Sequence, residues 1–594
     1  MAKFLNKTVV ITGSGTGIGK AIAIKFAENG ANIVIMGRRR EPLEEAAKEL
    51  QQAISKCGSG AFVRTYPGVD VSDELGVSRM FEDLSSKGPV DIVVNNAGVS
   101  GPVTCFPNSP IDDFKGTVSI HLTGTFWTSA QAAKAMKPGG KIITISTFFT
   151  EERPFEQRPY RFRSPYTAAQ GAKNRLAEAI SWELTEKGII SIATNPGPVH
   201  SDRIYKTVYP KAAAEFMRVS GFESFSPEDV EVINSDILPL LGEDEATVAK
   251  GIAHAAAKLA SAKSIDSADR IKEMEKTTNA LLMKIQQIAE KVQKNTSKMI
   301  ADEQFLSQQQ VAETVMMLCD ENISRILNGK VIPGDRVFYP VKPHIACSVP
   351  ETKPDYNSKV VLFVVDATDE YDIARIEYLA QNIENSRGKT VILISKTSTP
   401  QAEQRLSKFH SHVMDITSQE NMRRMLNTAT QKIGPISTMI YVTGRIPQMG
   451  RLVDLPRQKW DGLVDKFVNT PASVLQEVLG RFVPDGAKNP PLFKDKDGTI
   501  ILIGPDMPVG AKVTGMDRAK VEVFRGALRP FTTTVNQELS DVLKSKIRLH
   551  LVLPGSVDGT ESSNESVLNA INYFSSGRAV SNSEVIYYPD ETRS

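Results

Sequence analysis

Cysteine is scarce. There are four in 594 residues, and Cys57, Cys105, Cys319 and Cys347 show neither a disulfide framework nor metal-ligand spacing. They read as free thiols of a reducing compartment, with no metal expected. No apolar run reaches the ~18 residues that a membrane-spanning helix requires. Neither sign of charge dominates: 71 basic residues face 69 acidic ones, which removes the electrostatic pull toward nucleic acid or a membrane surface. The first strand pattern begins at Thr8, so no signal peptide and a cytoplasmic location are expected. With 41% hydrophobic and 24% charged residues, the composition is that of a globular protein, and the length predicts two to four domains.

Thr8-Val9-Val10-Ile11 has the character of a buried strand. It runs into Thr12-Gly13-Ser14-Gly15-Thr16-Gly17-Ile18-Gly19 and then a helical stretch from Lys20 to Asn29. A strand, a glycine-rich turn and a helix form the dinucleotide arrangement: glycines let the backbone approach the pyrophosphate, and the helix N-terminus offers it free N–H groups. Candidate contacts are Gly13, Ser14, Thr16, Gly17, Ile18 and Gly19. The next strand, Asn32 to Met36, ends in Gly37-Arg38-Arg39-Arg40. NAD sites usually place an acidic residue at that point, whereas arginine can hold a 2′-phosphate. NADP(H) is therefore the expected cofactor, with Arg38 as first contact and Arg39 as helper; a solvated basic turn is the competing reading.

Further motifs follow in order: Val69-Asp70-Val71, Asp91-Ile92-Val93-Val94 leading to Asn95-Asn96-Ala97-Gly98, Lys141 to Thr147, Tyr166, and Asn195-Pro196-Gly197-Pro198-Val199. Together they resemble the short-chain dehydrogenase/reductase family over roughly residues 1–200, resuming at 308–340 where Leu327-Asn328-Gly329-Lys330-Val331-Ile332 resembles the family's last strand. The resemblance implies a doubly wound α/β sheet. Asp70 and Val71 would then lie at the adenine, Asn95, Ala97 and Gly98 along the adenosine, and Pro196, Gly197 and Val199 at the nicotinamide. It makes Tyr166 the general acid and Thr147, nineteen residues earlier, the hydroxyl that orients a substrate carbonyl. Two positions depart from the family. Its lysine, four residues after the tyrosine, is Gln170 here, and its asparagine is His121. Gln170 can bond a ribose hydroxyl but has no charge to assist the phenol. Lys173, about 10 Å along the helix from Tyr166, is too distant for a simple replacement. His121 is either a titratable proton relay or a structural histidine.

A narrower resemblance is carried by Ser146-Thr147-Phe148-Phe149, the arginine-rich stretch before Ser164-Pro165-Tyr166-Thr167, and Pro196 to Ile204. It is to the N-terminal half of bifunctional malonyl-CoA reductases, an active reductase unit followed by a degenerate one. It implies reduction of malonate semialdehyde to 3-hydroxypropionate with NADPH; that branch is expected to keep the lysine. Arg153, Arg158, Arg161 and Arg163 interleave with aromatics before Tyr166. Arginine's planar fork suits an anionic substrate, so Arg161, Arg163 and Arg203 are candidate contacts; pairing with Glu151, Glu152 and Glu156 in a solvated loop is the alternative.

Residues 359–594 repeat this layout without its chemistry. The strand Lys359–Val365 runs into Asp366-Ala367-Thr368-Asp369-Glu370, which has no glycine. At an offset of 346, Trp460 falls on Phe114 and Phe467 on His121; at 358, Pro505 falls on Thr147, Phe524 on Tyr166 and Leu528 on Gln170. The expected architecture is two tandem Rossmann-type doubly wound parallel-sheet domains. Residues 1–203 plus 308–345 form the cofactor-binding one, 346–358 a linker, and 359–594 a non-catalytic one. Residues 204–307 are a helical insertion serving as substrate lid or for oligomerisation. In it, Ile271, Met274, Thr278, Leu281, Ile285, Ile288 and Val292 make a heptad seam. A hairpin with a helix near Asp244 to Ala262, a dimerising coiled coil, and simple packing on its own domain all fit. Family members pair through the tyrosine helix, so a homodimer or an internal pairing of the two units is expected. The functional expectation is an NADP(H)-dependent reductase of an aldehyde or ketone. The alternative, suggested by Gln170 and His121, is an NADP(H)-binding scaffold or redox sensor.

Overall fold

Short β-branched runs separated by amphipathic helical stretches have one economical solution, a parallel sheet covered on both faces. The computed structural model describes residues 3–150, 161–199, 204–298, 300, 302–336, 349–482, 492–493, 497–508, 514–555, 564–577 and 586–587. The first sheet comprises β1 (Thr8–Thr12), β2 (Asn32–Gly37), β3 (Val63–Pro67), β4 (Val90–Asn95), β5 (Met136–Ile145), β6 (Ile190–Pro196) and β7 (Val331–Gly334). The second comprises β8 (Val360–Val365), β9 (Lys389–Ser395), β10 (His410–Met414), β11 (Thr438–Val442), β12 (Thr499–Ile503), β13 (Arg548–Val552) and β14 (Ile586–Tyr587). Their orders are β3-β2-β1-β4-β5-β6-β7 and β10-β9-β8-β11-β12-β13-β14. The strand order reverses at β1/β4 and again at β8/β11, which opens a crevice beyond the strands' carboxyl ends.

The copies agree in detail. A single π turn interrupts the helical stretch after β4 at Ser119–Thr123, and another sits at Asp465–Asn469 after β11. Such turns often mark functional sites. Here it recurs around Phe467, where the side chain is hydrocarbon, so it belongs to the fold and not to the chemistry.

The two units share one hydrophobic core. The helix Ser164–Leu184, which carries Tyr166, packs along Gly515–Gln537, its counterpart. They cross at glycines: a Cβ on Gly171 would run into the carbonyl oxygen of Gly526, and one on Gly526 into the Arg175 side chain. Around the crossing, Trp460 stacks on Phe126 with centroids 3.9 Å apart and donates its Nε1 hydrogen to Thr123 Oγ1 at 3.2 Å. Phe531 stands edge-on to Phe106 and Phe114. The expected internal pairing is thus the packing observed.

In the insertion, Glu245–Ala262, N-capped by Asp244, folds back on Ala268–Ser297. Ile252, Ala255 and Leu259 of the first close on Leu281, Leu282 and Ile285 of the second within a separate core. Of the readings open for the heptad seam, this is the hairpin; the seam is spent inside the chain. Residues 349–358, expected to be a linker, are no bare tether. Tyr356 is buried and donates to Asn572 Oδ1 at 2.9 Å, and Thr352 N–H donates to Asn569 Oδ1 at 2.9 Å, so the segment is strapped to the helix Asn564–Ser575. Two contacts to residues more than two hundred positions away, which a composition-based reading could not see, account for the difference.

Gly171→Leu should cost about 3 kcal/mol or more in urea unfolding, because the obstacle is backbone and cannot yield. Gly116→Ala, on a helix with open space at its Cβ, should be neutral or stabilising by up to about 1 kcal/mol.

Candidate active site

The glycine turn sits at the mouth of the first crevice. Gly13 and Gly17 adopt left-handed φ of 63° and 62°, which only glycine takes without strain. The following helix, Gly17–Glu28, starts at Thr16, which makes no side-chain cap, so the helix N-terminus is presented outward with its N–H groups. Asn96 holds the turn: its Nδ2 donates to Thr12 O at 3.0 Å and Gly13 O at 3.1 Å, while Thr12 Oγ1 accepts from Asn96 N and Ala97 N at 2.9 Å each. Gly19 is required there, since a Cβ would stand 2.5 Å from Asn96 Nδ2. Asn96 was not among the sequence candidates; its place between Asn95 and Ala97 was the available signal.

At the ends of β2 and β3, Arg38 reaches Asp70 at 3.6 Å and is largely exposed. Asp70 also accepts from the Ser72 amide and hydroxyl at 2.9 and 2.7 Å. Arg39 is the exposed residue preceding the helix Arg40–Cys57. Ile18 is half-buried on the helix's first turn, and Val71 is buried against Gly124. Two candidates face elsewhere. Ser14 is fully buried and its hydroxyl donates to Ile11 O at 2.8 Å, closing the turn instead of opening toward a ligand. Asn95 is buried with its Nδ2 on Ser129 Oγ at 2.9 Å, so its side chain lies in the core. Ala97 and Gly98 border the turn. Pro196 ends β6, Gly197 passes against Asp335, and Val199 bridges to Leu306.

On the other side of the crevice, Thr147 lies just beyond β5, buried. Ser146 spends its hydroxyl on Gln170 O at 3.0 Å, whereas the Thr147 hydroxyl donates to no group among the described residues. Tyr166 is half-buried in the first turn of its helix. The Arg163 guanidinium covers its ring, 3.9 Å from the centroid, and donates to Ser100 O at 2.7 Å. His121 meets the ring edge-on at 5.4 Å. Gln170 is buried, and its Oε1 has no hydrogen-bond partner among the described residues. Arg161 pairs with Asp541 at 2.7 Å. Arg153, Arg158 and Arg203, with the glutamates at 151, 152 and 156, lie outside the described residues.

His121 lies between Gly98 and the Tyr166 ring. The ring is buried against Gly98, with Nε2 at 2.8 Å from Val99 O and 3.1 Å from Val99 N. Burial, helped by the nearby Lys173 charge, pushes it down to about 3. Its Nδ1 is buried with no hydrogen-bond partner among the described residues. Lys173 is also buried, its ammonium donating to Ile145 O at 2.6 Å, and burial pushes it down to about 7.

The second crevice is filled. Its helix Glu370–Asn385 is capped by Asp369, whose carboxylate accepts from Asp372 N at 2.8 Å. Buried Arg375 pairs with buried Asp506 at 2.6 Å, and Arg445 lies 3.4 Å over the Tyr371 ring. Asp372, pushed up to about 7 by burial and by Asp369, stands where a Cβ on Gly444 would be, 2.7 Å away. At the Tyr166 position, Phe524 packs on Trp460 and Phe467 with centroids 5.9 and 5.4 Å apart.

The sequence profile described as short chain dehydrogenase matches residues 7–209 and again 380–570. The chain belongs to that family, and holds two copies of its fold. Among similar proteins, the uncharacterized oxidoreductase YxbG of Bacillus subtilis is 33% identical over 35% of this chain and 71% of its own. The "NADPH-dependent aldehyde reductase-like protein, chloroplastic" of Arabidopsis thaliana is 30% identical over 40% of this chain and 93% of its own. Over the full length, the fold is similar to the N-domain of a bacterial malonyl-CoA reductase solved with NADP (TM-score 0.69, 16% identity, covering 98% of each chain). The C-domain of such a reductase matches with the same TM-score and identity, over 100% of this chain and 97% of that one. The paired-unit architecture is thus shared by both. No helix among the described residues is long and apolar enough to cross a membrane.

Lys173 gives a pH signature. Its folded value lies below its unfolded one, so the stability it contributes is present above pH 10.5 and lost as the pH falls toward 7. Replacing it by Met should therefore raise stability at pH 7 relative to pH 10.5 by roughly 4 kcal/mol compared with the parent chain. Urea unfolding at the two pH values checks this; a pH-independent difference would contradict it.

Proposed function

We propose that the protein is an NADP(H)-dependent carbonyl reductase with one working site, the crevice of the first unit. The observation that carries this is the contrast between the two helix N-termini. One follows an uncapped glycine turn, with Tyr166 and Thr147 across the crevice. The other is capped by Asp369 and backed by a buried ionic cluster, with Phe524 and Pro505 at the reactive positions. The first cradle suits a pyrophosphate; the second would repel one.

In this reading Gly13, Gly17 and the N–H groups that follow hold the pyrophosphate, and Arg38 meets the 2′-phosphate. When bound, NADPH supplies hydride to the carbonyl carbon. Thr147 donates a hydrogen bond to the carbonyl oxygen, and Tyr166 passes its phenolic proton to the same oxygen as charge develops there. Gln170 Oε1, buried without a partner, suits a ribose hydroxyl. Arg163 is the cation beside the phenol and favours a carboxylate-bearing aldehyde. Malonate semialdehyde, giving 3-hydroxypropionate, is such a substrate, and the shared architecture with malonyl-CoA reductase domains and the aldehyde-reductase relative both support the class. The helical insertion, whose end brings Ile300 and Phe305 onto Phe148 and Phe149, acts as the substrate-side wall.

Tyr166→Phe should lower NADPH consumption with a semialdehyde about 10²–10⁴-fold while NADPH still binds. Arg38→Ala should reduce the preference for NADPH over NADH by about 10- to 100-fold. No turnover by the unaltered chain across aldehydes, semialdehydes and acyl-CoA thioesters, with NADPH binding intact, would favour the scaffold reading instead.

A further inference from the structure

Two buried carboxylates cross the boundary between the units, and they reach equivalent turns from positions one helical turn apart in the alignment of the copies. Glu183, near the end of the tyrosine helix, reaches into the second unit and accepts from Leu452 N at 2.6 Å and Val453 N at 3.1 Å. Glu538, just past the end of the partner helix, reaches into the first unit and accepts from Phe106 N and Phe162 N at 2.6 Å each. Leu452 is the counterpart of Phe106 at the offset of 346. Each carboxylate therefore pins the same short turn of the opposite unit. Burial pushes both carboxyls up, Glu538 to about 7.

Their consequences differ. Glu183 pins only the turn Leu452–Asp454. Glu538 pins the equivalent turn Phe106–Asn108 and also the strap that leads into the tyrosine helix. Phe162 there holds a left-handed φ of 70° and accepts from Thr104 N at 2.9 Å. The next residue is Arg163, which covers the Tyr166 ring and ties to Ser100 O. Asp541, one turn beyond Glu538, holds Arg161 on the same strap. From the insertion, Glu215 accepts from Cys105 N at 2.7 Å and is neutralised by Arg218. Both walls beside the phenol are thus held by residues from outside the first unit's own fold.

We propose that Glu538 is a positioning residue for the Tyr166 site: its carboxylate joins the backbone at Phe106 to that at Phe162 and so fixes Arg163 against the phenol. The unit without chemistry then serves the reaction through one side chain as well as through its bulk. This rests on the reductase reading for its kinetic consequence, while the clamp itself is a matter of backbone order.

The test compares Glu538→Ala with Glu183→Ala in the full chain, with Glu538→Gln, which keeps one acceptor oxygen, as the milder variant should alanine fail to fold. Both alanine variants strand two buried N–H groups and should lower the unfolding midpoint similarly. Only the Glu538 variants should speed amide hydrogen exchange across residues 161–166. They should also lower kcat/KM for a semialdehyde by roughly tenfold or more, with NADPH affinity unchanged within about twofold. Glu183→Ala should leave kcat and KM within about twofold. Equal kinetic losses in both, or unaltered exchange at 161–166 in the Glu538 variants, would overturn the proposal. Absence of any carbonyl turnover in the unaltered chain would instead remove the reductase reading, and the exchange comparison would still decide whether Glu538 fixes the strap.

Discussion

The helix that presents Tyr166 is buried along nearly its whole length, and one side of it is buried by Gly515–Gln537 of the other unit. Gly171 and Gly526 permit the close approach, and any side chain at Gly171 would part the helices. Trp460, Phe531 and Phe524 complete a core whose other half is Phe106, Phe114 and Phe126. A first unit standing alone would expose Phe106, Phe114 and Phe126, a contiguous aromatic patch of the kind that marks an interaction surface. This explains why the second copy, with Phe524 and Pro505 at the positions of Tyr166 and Thr147, keeps the sheet order and the π turn: packing constrains those features.

The two crevices differ in a few groups. Both follow a buried strand and open a helix. In one, glycines with left-handed φ and an uncapped start leave the N–H groups facing outward. In the other, Asp369 caps the helix N-terminus, and Arg375, Asp506 and Arg445 form a buried ionic cluster. A buried ion pair is weak evidence of stabilisation, since its desolvation offsets most of its attraction. What it does here is fill volume with groups that satisfy one another.

Features written in local spacing were legible in the sequence: the strands, the glycine turn, the threonine–tyrosine interval and the offsets between the copies. The heptad seam was legible as a seam, but periodicity does not name its partners, which are the neighbouring alanine-rich helix and the helix Tyr209–Ser220. The contacts that shape the site were not legible. Glu538 and Phe162, or Trp460 and Phe126, are separated by hundreds of residues with no spacing to join them. Arg163 was a candidate for its charge, but its place over the Tyr166 ring depends on the strap. His121 was legible as a position that departs from the family, but its burial against Gly98 and its edge-on approach to Tyr166 are properties of the folded chain alone.

The central claim is that the two units are one folding body. Equilibrium urea unfolding of the whole chain, followed in parallel by circular dichroism and by NADPH-dependent turnover, tests it most directly. The account predicts a single transition in which both signals disappear together. An early transition that unfolds about half the helix content while turnover persists would contradict it.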